Sequence, residues 1–86
     1  MQPVKMYTGP HCPYCTMAKK FLASMGVDHI EEINIQENPA YFAEMQQLSG
    51  RRSVPQIFIG STHVGGYTDI YAMHQRGELA DLLAGK

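Results

Sequence analysis

A chain of 86 residues with a formal net charge of −1 is the size of one domain, 1–86, and leaves no room for a second. Seven basic side chains are balanced by eight acidic ones along the chain, which excludes the basic face a general nucleic-acid binder needs. No run reaches the length of a membrane span, and Met1-Gln2-Pro3-Val4-Lys5 opens without the apolar stretch of a signal peptide, so a reducing cytoplasm is the expected location.

Pro3 to Tyr7 alternates as a first strand and is broken by Thr8-Gly9-Pro10. From Pro13 the pattern turns helical: Met17, Ala18, Phe21, Leu22 and Met25 share a face, and Gly26 supplies a stop. Val27 to Ile35 reads as a second strand. Asn38-Pro39 opens a second helix, with Asn as cap and Pro at the first position. Its apolar stripe is Tyr41, Met45 and Leu48, closed by Gly50. Ile57-Phe58-Ile59 is uniformly apolar, as in a central strand covered on both faces. After a Gly60-Ser61 turn, Thr62-His63-Val64 pairs back as an edge strand that Gly65-Gly66 ends. A third helix opens near Thr68 and runs through Ile70 and Met73. Leu79, Leu82 and Leu83 continue its pattern after Gly77 as a separate turn or short helix. The order is β-α-β-α-β-β-α, an α/β chain with a mixed sheet: parallel for the first two strands, antiparallel for the final hairpin.

The only cysteines are Cys12 and Cys15, two residues apart. So short a loop stabilises little as a staple, and in a reducing compartment close thiols read as chemistry. Half of a zinc site is the competing reading, but a closed site needs four ligands; His11 is too near Cys12 to ligate jointly with it, and His29, His63 and His74 lack partner spacing; no metal is expected. The pair sits where the first strand meets the first helix. Unpaired N–H groups and the macrodipole favour an anion there, and the thiolate is the attacking species. Cys12, just before the helix, is therefore the expected nucleophile. Cys15, one turn on and more buried, is the expected resolving thiol.

Tyr7-Thr8 with Cys12-Pro13-Tyr14-Cys15, then Ser53-Val54-Pro55-Gln56-Ile57-Phe58-Ile59, then Gly65-Gly66-Tyr67-Thr68-Asp69, together resemble the dithiol glutaredoxins, especially the short bacterial type. The resemblance spans essentially the whole chain. It implies a thioredoxin fold, a four-stranded mixed sheet flanked by helices, and a glutathione-dependent enzyme that reduces protein disulfides and glutathione mixed disulfides. Glutathione enters as reducing cosubstrate, at a potential of roughly −200 to −230 mV for the class. Val54-Pro55 looks like the family's cis-proline element, leaving the Val54 backbone to pair with an extended substrate. Tyr14, Val54, Pro55, Gly66, Tyr67 and Thr68 are the glutathione contacts that the resemblance implies. It also implies protein-disulfide partners such as ribonucleotide reductase, and glutathionylated proteins; a monomer is the default expectation, read from neither the residues nor the resemblance.

Some positions depart from the pattern. Gly9 stands where many members carry Lys, Phe42 where many carry Arg or Gln, and Thr68 where an Asp is usual. Side-chain charge toward glutathione is thereby reduced, and Arg51 and Arg52 are the candidates to restore it. His11, if protonated, would favour the Cys12 thiolate; as an exposed loop residue it would do nothing. Two other functions compete: a redoxin reduced by thioredoxin reductase, and a carrier of an iron–sulfur cluster held by Cys12 and glutathione. Pro13 stiffens the site, and Cys15 competes with a cluster by forming the disulfide.

Overall fold

The computed structural model describes residues Met1–Lys86. Strand β1 (Val4–Thr8) organises the sheet. It pairs parallel with β2 (Ile30–Asn34) and antiparallel with β3 (Gln56–Ile59), and β4 (Thr62–Gly65) closes the edge in the order β2-β1-β3-β4. Alternation along β1 sends Val4 and Met6 to one face and Tyr7 to the other. Strand β3 does the same, with Ile57 and Ile59 opposite Phe58. Both faces are covered, which is why an unbroken apolar run sits here.

Helix α1 (Pro13–Ser24), α3 (Tyr67–Gln75) and α4 (Leu79–Ala84) supply the larger core, with Ala18, Leu22, Ile70, Leu79 and Leu83 packed on Val4, Met6, Ile57 and Ile59. Helix α2 (Pro39–Ser49) covers the other face, placing Met45 against Tyr7 and Phe58. Asn38 caps α2 by accepting the Ala40 N–H at 2.9 Å, and Gly50 ends it at φ 71°.

Three expectations change. The second strand begins at Ile30 rather than Val27; Val27 is buried, but outside the strand. On α1 the buried stripe is Cys15, Ala18 and Leu22, while Met17 is 42% exposed. Once Cys15 is counted as core, the stripe's axis rotates away from Met17. On α2 it follows Tyr41, Phe42 and Met45, with Ser49 rather than Leu48 continuing it, and Leu48 is exposed. The separate turn or short helix expected after Gly77 is α4, which follows the β-α-β-α-β-β-α order as a last short element. Gly77 at φ 75° separates it from α3, letting Leu79 and Leu83 fold back under the sheet.

Candidate active site

The β1–α1 junction holds the thiols. Cys12 is the N-cap of α1, with extended backbone, and Pro13 follows at the first helical position. Cys15 lies one turn on, buried, with Cys12 half-buried above it. The two are joined as a disulfide. Cys12 Sγ accepts the Cys15 N–H at 3.2 Å, so a free helix-terminal donor is already aimed at this sulfur. On the other side, Cys12 Sγ lies 3.9 Å from the Val54 carbonyl oxygen, and the Val54–Pro55 peptide is cis. The preceding His11 is exposed and takes φ 52°, a left-handed conformation that turns the chain into the helix.

A groove of about 330 Å³ runs from Cys12's neighbour Tyr14 to the start of α3. Tyr14, Val54, Pro55, Gly66, Tyr67 and Thr68 all line it, so every expected contact residue falls on one surface. Tyr14 is 57% exposed and stacks on Tyr67, with ring centroids 6.2 Å apart. Tyr67 in turn rests on the edge of Phe21 and beside Tyr71. Helix α1 and helix α3 thus share an aromatic wall beside the thiol.

Ser53, Gln56 and Asp69 also line the groove and were not among the expected contacts, and Arg51, expected only as replacement charge, lines it with them. Asp69 Oδ2 accepts the Gly66 N–H and an Arg51 N–H, each at 2.8 Å. The Gly66 N–H, and then Arg51, hold this carboxyl below its ordinary value. Its position three residues past the Gly66 cap was the available signal, because an acid there reaches back to the cap N–H. Thr68, which replaces the usual Asp, is exposed beside it. Of the two arginines offered as replacement charge, Arg51 is at the groove and Arg52 is not among its lining residues. Phe42 packs against the Tyr7–Met45–Phe58 cluster and does not line the groove, so its departure from the family pattern serves the core.

A second hollow of about 540 Å³ lies across the thiols, lined by Gly9, His11, Cys12, Cys15 and Lys19 among others. Lys19 pairs there with Glu32 at 3.1 Å. A Cβ on Gly9 would stand 3.4 Å from Val54 Cγ2, ordinary contact, so sterics alone do not require glycine there.

Comparisons with known proteins agree with this geometry. A family model described as Glutaredoxin matches residues 4–64. The chain is 66% identical over 83 residues to a glutaredoxin of Neisseria meningitidis serogroup A, covering 96% of this chain and 98% of that protein. The solution structure of a Brucella melitensis glutaredoxin superposes with a TM-score of 0.85 at 50% identity, over 100% of this chain and 94% of that one. A buckwheat glutaredoxin solved as a glutathione complex superposes with a TM-score of 0.88 at 29% identity, over 98% of this chain and 78% of that one. The chain belongs to the glutaredoxin family, as a dithiol member with the thioredoxin fold and glutathione-dependent thiol–disulfide oxidoreductase activity.

Proposed function

We propose that Cys12 is the nucleophile, Cys15 the resolving thiol, and the groove of Tyr14, Val54, Pro55, Gly66, Tyr67 and Thr68 the glutathione site. One observation carries the reading: half-buried Cys12 caps α1 with the buried Cys15 beneath it, and its sulfur stands 3.9 Å from the carbonyl of Val54, which lines the groove. On reduction, the Cys15 N–H stays aimed at Cys12 and favours its thiolate, with the α1 dipole adding to it.

With a glutathionylated protein, the Cys12 thiolate attacks the glutathione sulfur and the protein thiolate leaves. A second glutathione thiolate then attacks the mixed disulfide, releasing glutathione disulfide and regenerating Cys12. With a protein disulfide, Cys12 forms a mixed disulfide with the substrate. Cys15 attacks Cys12 Sγ, the second substrate thiolate leaves, and the Cys12–Cys15 disulfide remains. The first glutathione thiolate attacks Cys12 Sγ and the Cys15 thiolate leaves; the second attacks the sulfur of the bound glutathione, so that glutathione disulfide departs and the Cys12 thiolate is regenerated.

The buckwheat relative's glutathione complex supports placing the cosubstrate in the equivalent groove. Its γ-glutamyl carboxylate would meet the α3 N-terminus at Tyr67 and Thr68, where free N–H groups favour an anion. Substrates of this reading are protein disulfides, ribonucleotide reductase among them, and glutathionylated proteins. Residues 1–86 act as one monomeric domain in the cytoplasm, and no helix is long and apolar enough to cross a membrane. A glutathione-coupled assay on a glutathionylated peptide tests the assignment. Cys12→Ser is expected to be inactive and Cys15→Ser to retain turnover; activity in Cys12→Ser would overturn it.

A further inference from the structure

Gln56 is polar yet only 1% exposed, in a strand whose other residues are apolar. A buried amide must place all its polar atoms, and here each has a partner. Its Nε2 donates to the Ser53 carbonyl at 2.9 Å. A carbonyl oxygen only accepts, so this bond fixes which end of the amide faces the loop. The Oε1 end therefore faces His63 Nε2 at 2.8 Å, and His63 must carry its proton on that nitrogen. The His63 ring is seated on Phe58, with centroids 4.9 Å apart. A chain of contacts thus runs from β4 through β3 to the loop beside the thiols.

The loop end of that chain is the Ser53–Val54 peptide. A trans peptide is planar, with C=O and N–H on opposite sides, so gripping the Ser53 oxygen also sets the direction of the Val54 N–H. That N–H has no hydrogen-bond partner in the chain, and the next carbonyl, of Val54, stands 3.9 Å from Cys12 Sγ. We propose that Gln56, held by His63, is a positioning residue. It locks the Ser53–Val54 peptide so that the Val54 backbone meets the peptide-like backbone of the thiol moiety bonded to Cys12. This rests on the reading of the groove as the glutathione site. Its consequence is selectivity: disulfides carrying a backbone carbonyl near sulfur gain from Gln56, and small disulfides do not.

The test measures release of 5-thio-2-nitrobenzoate by the reduced enzyme from its mixed disulfide with either a glutathionyl or a 2-mercaptoethanol cap, so that the leaving thiolate is the same and the cap stays on Cys12, in wild type, Gln56→Met and His63→Phe. Iodoacetamide alkylation of reduced Cys12 is followed in parallel. Wild type is expected to prefer the glutathionyl cap, and Gln56→Met to lose roughly three- to tenfold of that preference, the effect of one backbone hydrogen bond. The rate on the small cap and the alkylation rate are expected to be unchanged. His63→Phe, which keeps the ring on Phe58, should lose a smaller part of the preference. A wild type indifferent to the cap would overturn the groove reading itself. A preference intact in Gln56→Met, or both caps and alkylation falling together, would overturn the role of Gln56 alone. Should Gln56→Met not fold, His63→Phe decides by the same comparison.

Discussion

Replacing Gly65 with Ala probes how the end of β4 shapes the groove. Gly65 takes φ 119°, where L side chains are strained by about 1–3 kcal/mol. An added Cβ would also stand 2.8 Å from Asp69 Cγ, closer than real Cβ contacts come, and a tight 3.0 Å from Asp69 Cβ. Asp69 must then give way, weakening its bonds to the Gly66 N–H and Arg51. With the Asp69 side chain 36% exposed, that loss is discounted for solvent to about 1 kcal/mol. The total is about 2–4 kcal/mol, measured as the wild-type minus Gly65→Ala difference in urea unfolding. Repeating Gly65→Ala in an Asp69→Ala background isolates the contact with the carboxyl group, because the backbone strain and the 3.0 Å approach to the residue-69 Cβ remain while the carboxyl is gone. The cost there is expected to fall by about 1 kcal/mol. A Gly65→Ala cost under about 0.5 kcal/mol would refute the backbone reasoning, and an equal cost in both backgrounds would refute the contact.

Leu22 is fully buried and Met17 is 42% exposed on the same helix. Leu22→Ala is therefore expected to cost about 2–5 kcal/mol and Met17→Ala under about 0.5 in the same urea assay; comparable costs would contradict the placement of the stripe. Acid should destabilise the protein in two stages. Burial, then Arg51, hold His63 below its ordinary value of 6.5, so the unfolded chain binds the extra proton and stability falls as pH drops below 6.5. Asp69 is held below 3.8, so its contribution is present above that value and is lost as pH falls beyond it. Urea midpoints from neutral pH downward check both stages, and His63→Phe should remove the first.

The thiol chemistry was legible because Cys12 and Cys15 sit at a strand–helix junction that punctuation alone locates, at Thr8-Gly9-Pro10 and Pro13. The sheet was legible because β1 and β3 carry alternation and an unbroken apolar run. Less was readable where a residue serves two ends. Cys15 is expected to be buried, but leaving it out of the apolar stripe is how the α1 stripe comes to include Met17. Arg51 was legible as replacement charge and Asp69 as part of the Gly65–Asp69 motif, but their pairing was not, because it spans 18 positions and no local pattern encodes it. Gln56 and His63 are similar: a lone polar residue in an apolar strand signals a buried bond, but only the fold supplies Ser53 as its partner.

The central claim is that the α1 N-terminus holds Cys12 as an anion. Titrating the ultraviolet thiolate absorbance of reduced Cys15→Ser isolates that sulfur. A midpoint below about 7.5 is expected, against about 8.5 for a free cysteine, and a midpoint at or above the free value would contradict the claim.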